Sequence, residues 1–264
     1  MRSNTYPQVP RREEPTSEPV DLARTALLLD IDGTILDIAL TPERVVVPAS
    51  LRETLAELHR RTGGALALVS GRLIEDVDRL FAPLRLPAIG GHGAELRLTS
   101  TDAILANAVL APSAALKRRL LALASLDSHL IYEDKGSSVA VHYRLAPQQE
   151  PFIKAQIAAM MAQEPAGQLD VIWGKLVVEI KPAAINKGIA VGALMKVPPF
   201  AGRTALFIGD DTTDLSVFEM LPSVGGRGFA VGRGMSGALG TFDSPRKVRS
   251  WLAALCGWPG DEAE

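Results

Sequence analysis

The feature that most constrains this chain is an apolar run near its beginning that ends in two acids and a glycine. Thr25 to Ile31 reads TALLLDI, so Asp30 is its first acid, and Asp32 and Gly33 follow directly. An uninterrupted apolar run of this length is typical of a parallel strand that is buried on both faces of a sheet. The run therefore predicts an α/β fold in which a loop at the carboxyl end of the strand carries two carboxylates.

Two further segments, Ala65 to Val69 and Thr204 to Ile208, have the same apolar character. Between the first two strands, leucines recur at helical spacing in Ser50 to Arg61. Strand, helix and strand in this order are typical of a βαβ crossover between parallel strands. Polar residues follow each strand, with Ser70 after the second and Asp210 near the end of the third. We therefore predict a Rossmann-like parallel-sheet core with polar loops along one edge.

The middle of the chain has a different pattern, because its apolar residues alternate with polar ones. Val139, Val141 and Tyr143 share one predicted strand face, and His142 and Arg144 share the other. Such alternation indicates a half-exposed antiparallel sheet. The order helix, strand, strand occurs twice, so we predict a smaller α/β cap domain inserted into the core. Its predicted helices are Ala114 to Ala124 and Gln148 to Gln163, and its predicted strands lie near His129 to Glu133, Ser138 to Arg144, Leu169 to Trp173 and Leu176 to Lys181.

Composition bounds the remaining possibilities. The chain has 264 residues, 47% of them hydrophobic, a formal net charge of −2 and one cysteine. Near-neutral charge gives no broad field for nucleic acid or an acidic membrane surface, and a single cysteine cannot form an intrachain disulfide. We expect a monomeric cytoplasmic protein that binds a small molecule, with no nucleic-acid or membrane partner. The expected organisation is a disordered leader at residues 1–20, a core at 21–100 and 183–264, and a cap at 101–182.

Several acids follow the predicted core strands. Ligands of an open parallel sheet bind beyond the carboxyl ends of its strands, where Asp30, Asp32, Asp210, Asp211 and Asp214 would meet. Crowded carboxylates repel one another unless a cation lies among them, and oxygen ligands suit Mg²⁺ better than zinc or copper. The pattern predicts a magnesium site, and because Mg²⁺ keeps positions for water and phosphate oxygens, it also predicts a phosphate ligand.

The other strand ends supply groups suited to phosphate chemistry. Ser70 and Gly71 offer a hydroxyl and backbone N–H groups before a helix, and Lys187, at the start of another helix, offers a positive charge. Asp30 would attack phosphorus, and Asp32 would protonate the leaving oxygen. Taken singly, an Asp-Gly pair is most often a turn and a lysine is most often solvated. The joint order of these residues at strand ends favours the catalytic interpretation.

Four of these segments together resemble the motifs of the haloacid dehalogenase superfamily. They are DIDGT from Asp30, SGR from Ser70, Lys187, and GDDTTD from Gly209. The resemblance implies an aspartyl-phosphate intermediate on Asp30 and acid and base roles for Asp32. It further implies phosphate contacts from Ser70 and Lys187, and a magnesium ion held by Asp30, the main-chain carbonyl of Asp32 and Asp210.

The cap sequences are similar to those of the trehalose-6-phosphate phosphatase family. The similar segments are GGHGAELR from Gly90, YEDKGSSVAVHYR from Tyr132 and WGKLVVEIKP from Trp173. This resemblance implies hydrolysis of trehalose 6-phosphate to trehalose and phosphate. It also implies that cap side chains bind the sugar hydroxyls, namely Glu133, Lys135, Arg144 and Glu179, with His92 and Glu95 as further candidates.

Alternatives remain open at the level of the sequence. A related sugar phosphatase acting on sucrose phosphate or mannosyl-phosphoglycerate would share the core chemistry and differ in the cap. A phosphomutase would return the phosphate to another hydroxyl. A non-catalytic sugar-phosphate sensor would be expected to lack Asp30, Asp32 or Lys187, and all three are present. The cap charges alone would also fit a solvated sheet face with weak ion pairs.

Overall fold

The computed structural model describes residues 19–39, 45–106 and 111–259. Most of the predicted leader, residues 1–18, lies outside the described residues, whereas Val20 packs against the core. Among the described residues, no helix is both long enough and apolar enough to span a membrane.

An eight-stranded sheet forms the core, in the order β12-β11-β10-β1-β2-β3-β4-β5. Six neighbouring strands are parallel, and β4 and β5 add an antiparallel edge. The strands are β1 (Thr25–Leu29), β2 (Leu66–Val69), β3 (Ala88–Gly90), β4 (Glu95–Arg97), β5 (Leu105–Ala106), β10 (Thr204–Gly209), β11 (Arg227–Val231) and β12 (Gly240–Phe242). All five residues of β1 are buried, as the apolar run predicts.

Helices cover both faces of this sheet. Leu27 and Leu29 of β1 belong to one apolar cluster, and Leu28 belongs to the cluster on the opposite face. The first face packs against α1 (Ala49–Arg61), α2 (Ile74–Phe81) and α7 (Pro245–Leu255), and the second packs against α5 (Lys187–Leu194) and α6 (Leu215–Met220). The core is therefore a three-layer α/β structure.

A separate antiparallel sheet of four strands forms the cap, in the order β6-β7-β9-β8. Its strands are β6 (Ile131–Asp134), β7 (Val139–His142), β8 (Leu169–Gly174) and β9 (Val177–Pro182), and its helices are α3 (Ala114–Ala124) and α4 (Glu150–Met161). Val139, Val141 and Tyr143 are buried with apolar residues of both helices. These three residues share one face as predicted, and the fold class of a parallel-sheet core with a smaller α/β cap is confirmed. The opposite face is less exposed than the alternation predicts, because Ser138 and Ala140 are also buried.

The core sheet continues past residue 101, where we expected the cap to begin. Leu105 and Ala106 form β5, which pairs with β4 at the edge of the core sheet. Two residues of an edge strand carry too little periodicity to be recognised in the sequence. We accordingly take the cap as the segment from Ala114 to Pro182.

Candidate active site

Three neighbouring strands end at the same edge of the core sheet and bring the predicted catalytic residues together. β1 lies between β10 and β2, in parallel register with both. Asp30, Asp210 and Ser70 directly follow these three strands. Gly33 allows the chain to turn back over them with a φ of 87°, and a Cβ atom there would lie 2.2 Å from Oδ2 of Asp210. Only glycine fits at this turn.

A buried lysine connects two acids of the site. Lys187 Nζ donates hydrogen bonds of 2.7 Å to Oδ1 of Asp30 and 2.7 Å to Oδ1 of Asp214. Burial raises the pKa of Asp30 well above its usual value; the Lys187 ammonium opposes this rise, and the nearby carboxylates of Asp214 and Asp210 add to it. Burial lowers the pKa of Lys187, but the two carboxylates outweigh it and leave the pKa above its usual value. Lys187 is therefore a fixed positive charge.

Asp214 supports this arrangement. It is fully buried, and its Oδ2 accepts hydrogen bonds from the backbone N–H groups of Asp210 (2.9 Å) and Asp211 (3.0 Å). With Lys187 on Oδ1, both of its oxygens are engaged. Asp211 caps the following helical turn by accepting from the Thr212 N–H at 2.7 Å. Asp214 is therefore placed to orient Lys187 and the loop that carries Asp210.

Asp210 has one partner in the core and one in the cap. Thr34 Oγ1 lies 3.3 Å from Oδ1 of Asp210 and 2.9 Å from Oδ2 of Asp30, so this hydroxyl bridges the two carboxylates. Lys175, in the turn between β8 and β9, donates from Nζ to Oδ2 of Asp210 at 2.6 Å. Burial raises the pKa of Asp210, and although Lys175 opposes this effect, the pKa stays above its usual value.

This carboxylate cluster fits a hard divalent cation. Asp30, Asp210 and Asp214 each place an oxygen within 4.8 Å of the others. All three carboxylates have partners on both oxygens, but Asp214 accepts from two backbone N–H groups of its own loop, whereas the partners of Asp30 and Asp210 are side chains. Side chains can move aside for a cation, so Asp30 and Asp210 are the carboxylates suited to a metal. The donors are all oxygen, and the Lys175 ammonium on Asp210 shows that positive charge is stabilised here. The cluster is therefore a candidate metal site of the kind that suits Mg²⁺.

The second acid of the DIDGT segment points to a different partner. Arg72 donates to both oxygens of Asp32, from Nε to Oδ2 at 2.6 Å and from Nη2 to Oδ1 at 2.7 Å. Asp32 keeps 35% of its side chain exposed, whereas Asp30 keeps 7%. The two acids therefore have distinct environments.

The predicted phosphate loop lies beside them. Ser70 is buried, and its Oγ accepts a hydrogen bond from the Arg72 N–H at 3.1 Å. A Cβ atom at Gly71 would overlap the imidazole of His92, so a larger residue here would displace that ring. The Gly71 carbonyl accepts a hydrogen bond from Lys135 of the cap at 3.1 Å. The loop is thus in direct contact with the cap.

A cavity of about 610 Å³ separates the core site from the cap sheet. The four predicted sugar-binding residues all line it: Glu133, Lys135, Arg144 and Glu179. Burial raises the pKa of Glu133, but a 2.7 Å hydrogen bond from His142 and the charge of Lys135 outweigh it and lower the pKa. The volume is typical of a site for a small organic ligand.

The remaining cap residues are also engaged. Both oxygens of Glu179 have partners, with Ser138 on Oε1 at 2.6 Å and His92 and Lys135 on Oε2 at 3.0 and 3.2 Å. Arg144 donates to the carbonyls of Ala39 in the core and of Lys175, the latter at 3.1 Å. The four predicted cap residues and His92 therefore line one cavity, whereas Glu95 does not line it and accepts from the Ile74 N–H at 2.7 Å. The assigned roles stay predictions.

Three residues of the site have no role in the sequence-based assignment. Arg72 lies within the SGR segment and Lys175 within the cap segment WGKLVVEIKP, so both were visible as parts of motifs. Thr34 is the last residue of DIDGT. The sequence does not show which carboxylate each of them contacts. Most of these contacts join residues that are distant in the chain, with separations of 35, 40 and 176 positions.

The fold, a parallel sheet with an inserted antiparallel cap, is that of a haloacid dehalogenase-type protein. The C-terminal domain of Candida albicans trehalose-6-phosphate phosphatase superimposes with a TM-score of 0.78 at 21% identity, over 89% of this chain and 92% of that domain. At this identity the likeness concerns the fold.

Sequence comparison places the chain more narrowly. The model of the trehalose-phosphatase family matches residues 28–233. The probable trehalose-phosphate phosphatase of Sinorhizobium fredii is 43% identical over 237 residues, which cover 89% of each chain. The trehalose-6-phosphate phosphatase of Escherichia coli is 36% identical over 243 residues, covering 92% of this chain and 91% of that protein. The chain belongs to the trehalose-phosphatase family.

Proposed function

We propose that this chain hydrolyses trehalose 6-phosphate to trehalose and inorganic phosphate through an aspartyl-phosphate intermediate on Asp30. The observation that carries the proposal is the cavity, which has Asp30, Ser70 and Lys187 on its core side and a polar cap face opposite. Membership of the trehalose-phosphatase family supports the choice of substrate.

The attack on phosphorus is assigned to Asp30. Lys187 on one oxygen and Thr34 on the other hold this carboxylate in a single orientation at the end of β1. Orientation in advance reduces the entropy that must be lost on reaching the transition state. Ser70, the Gly71 backbone and Lys187 bind the phosphoryl oxygens, and Lys187 neutralises part of the charge that develops on them.

Magnesium dependence belongs to the same proposal. Asp30, Asp210 and the main-chain carbonyl of Asp32 would hold Mg²⁺, whose charge when bound would stabilise the phosphoryl oxygens. Lys175 then has to leave Asp210 or share it, because its ammonium lies on Oδ2 of that carboxylate. Asp214 keeps Lys187 in place throughout, since its own oxygens are engaged within the core.

Proton transfer is assigned to Asp32. It delivers a proton to the sugar oxygen as the phosphorus–oxygen bond breaks, so that trehalose leaves as an alcohol. The same carboxylate then accepts a proton from the water that hydrolyses the aspartyl phosphate. Arg72 holds both oxygens of Asp32 in the described arrangement, so Asp32 has to exchange this partner for the substrate.

The cap is assigned the recognition of the disaccharide. A sugar offers many hydroxyls, and charged side chains form the stronger hydrogen bonds to them. Glu133, Lys135, Arg144 and Glu179 supply two negative and two positive groups on the cavity wall. Closure of the cap over the substrate excludes water from the reacting phosphorus.

The test is phosphate release from trehalose 6-phosphate, sucrose 6-phosphate and glucose 6-phosphate, each with Mg²⁺ and after chelation. We expect the highest kcat/KM with trehalose 6-phosphate and almost none after chelation, with recovery when Mg²⁺ is restored. A higher kcat/KM with either competitor contradicts the substrate assignment. Transfer of phosphate to another hydroxyl without release of inorganic phosphate would favour the phosphomutase alternative.

A further inference from the structure

His92 lies in a short loop that is tied to the phosphate loop. Its backbone has a φ of 55°, and among the described non-glycine residues only Leu176 shares a positive φ. A histidine in the left-handed region is strained unless its surroundings compensate. The surroundings hold it here, because His92 N–H donates to the Ser70 carbonyl at 3.0 Å and Gly91 N–H donates to the Arg72 carbonyl at 2.8 Å.

The imidazole of His92, a core residue, contacts the cap. Its Nε2 lies 3.0 Å from Oε2 of Glu179, and because Glu179 is a carboxylate, Nε2 is the donor. Nδ1 is buried and has no hydrogen-bond partner among the residues that the structure describes. The one hydrogen bond of the ring within that part of the chain is therefore its contact with the cap.

Four contacts close a ring of interactions between the two domains. His92 binds Glu179, Glu179 binds Lys135 at 3.2 Å, Lys135 donates to the Gly71 carbonyl at 3.1 Å, and Gly71 packs against the His92 imidazole. The side chains of His92, Lys135 and Glu179 are 11%, 10% and 7% exposed. Water therefore competes little for these hydrogen bonds, which strengthens them relative to surface contacts.

We propose that His92 is a positioning residue that holds Glu179 and Lys135 of the cap against the Ser70–Gly71 loop, so that the sugar-binding face and the phosphate site are aligned. The proposal rests on the proposed function for its substrate. His92 acts through Glu179 and does not itself contact the sugar, because Nδ1 is buried and Nε2 is occupied. A substrate that contacts both domains binds well only when the two domains are aligned. A small phosphate ester contacts chiefly the core, so its binding depends less on this alignment.

The experiment compares His92→Asn with His92→Gln. Asparagine accepts the left-handed backbone but is too short to reach Glu179, whereas the glutamine amide nitrogen reaches about as far as Nε2. We expect His92→Asn to lower kcat/KM for trehalose 6-phosphate about tenfold, mostly through a higher KM. The kcat/KM for p-nitrophenyl phosphate should fall by a smaller factor. We expect His92→Gln to recover most of the loss, and His129→Asn, at an exposed cap histidine, to match the unsubstituted protein.

A double-mutant cycle tests the route of the effect. In a Glu179→Gln background, His92→Asn should lower kcat/KM for trehalose 6-phosphate less than threefold, because the contact is already weakened. Equal losses on both substrates, no rescue by glutamine, or additive losses in the cycle would each overturn the proposal.

Amide hydrogen exchange separates this proposal from the substrate assignment. His92→Asn should speed exchange at the Lys135 and Ser137 amides, in the cap turn beside the phosphate loop, whether or not trehalose 6-phosphate is the substrate. Unchanged exchange at these amides overturns the positioning role. If the unsubstituted protein hydrolyses p-nitrophenyl phosphate but not trehalose 6-phosphate, the proposed function fails, and the exchange result still decides the role of His92.

Discussion

The core side and the cap side of the cavity are built in different ways. In the core, Asp30, Lys187 and Asp214 have side chains no more than 7% exposed, and their hydrogen bonds stay within the core. In the cap, the side chains of Glu133 and Lys175 are 33% and 53% exposed, and Lys175 pairs with the core. Asp30, Lys187 and Asp214 are thus held in place before substrate arrives, whereas in the proposed cycle Lys175 of the cap gives up or shares Asp210, and Asp32 at the cavity edge of the core exchanges Arg72. Core substitutions should therefore affect every phosphate ester, and cap substitutions chiefly the sugar phosphate.

The largest effect is expected for Asp30→Asn. Because the amide cannot attack phosphorus, turnover of trehalose 6-phosphate and of p-nitrophenyl phosphate should both fall roughly 10⁴-fold or more. Burial raises the pKa of Asp30, so its ionised form opposes folding at neutral pH, and the unfolding temperature should not fall. Steady-state kinetics and thermal unfolding check the two expectations. Activity within tenfold of the unsubstituted protein would refute the nucleophile assignment.

The next effect concerns Lys187→Met, which leaves the Asp30 and Asp214 carboxylates buried without their common partner. We expect activity on both esters to fall about 10³-fold and the free energy of unfolding to fall by about 3 kcal/mol. Lys247→Met, at an exposed lysine of α7, is the matched control and should change neither quantity. A loss confined to trehalose 6-phosphate would break the distinction between core and cap. Urea unfolding and kinetics with both esters provide the measurements.

A smaller and more selective effect is expected for Glu133→Gln. The amide can still accept from His142, but it loses the negative charge that strengthens hydrogen bonds to sugar hydroxyls. We expect kcat/KM for trehalose 6-phosphate to fall about tenfold, with a smaller change for p-nitrophenyl phosphate. Comparison of the two kcat/KM ratios is the measurement. Equal reductions would show that this cap residue contributes to the common chemistry.

The smallest effect concerns the pH dependence of stability. Burial raises the pKa of Glu179, but His92, Lys135 and Ser138 outweigh it and hold the pKa far below its usual value. The unfolded chain therefore binds more protons at low pH, and the stabilisation is present above the unfolded pKa near 4.5 and is lost as the pH falls below it.

Glu179→Gln removes this titration. Between pH 7 and pH 3.5 the variant should lose about 1 kcal/mol less unfolding free energy than the unsubstituted protein. Glu53→Gln, at an exposed glutamate of α1, is the control for charge removal alone. Urea unfolding of all three proteins at both pH values provides the measurement. An equal loss of unfolding free energy in the three proteins would contradict the stabilisation of ionised Glu179 by its buried partners.

The core site was largely predictable because one short-range pattern locates it. Apolar runs identify β1, β2 and β10, and parallel strands carry Asp30, Ser70 and Asp210 to the same edge whatever the details of packing. The strand boundaries differed by only one or two residues, as with β1, which ends at Leu29 and not at Ile31. The order of parallel strands in the sheet therefore brings residues that are distant in the sequence to one site.

The contacts between core and cap were not predictable in the same way. That Lys175 lies on Asp210 depends on the two-residue turn between β8 and β9, where Leu176 has a φ of 61°. Bulky residues rarely adopt the left-handed region, so the backbone preferences of leucine do not predict this turn. His92 and Glu179 are 87 residues apart in the chain, so their pairing depends on how the two domains pack against each other. Such contacts follow from the assembled structure and not from local pattern.

The cap is a single uninterrupted stretch of the chain, from Ala114 to Pro182. A segment of this kind can be exchanged between relatives by recombination, because its sheet and its two helices have their own apolar core. The proposed chemistry of the core and the proposed sugar recognition of the cap would then come from different parents. The compatibility of such a hybrid would be decided at the interdomain contacts that an incoming cap would have to reproduce, among them Lys175 with Asp210 and Glu179 with His92.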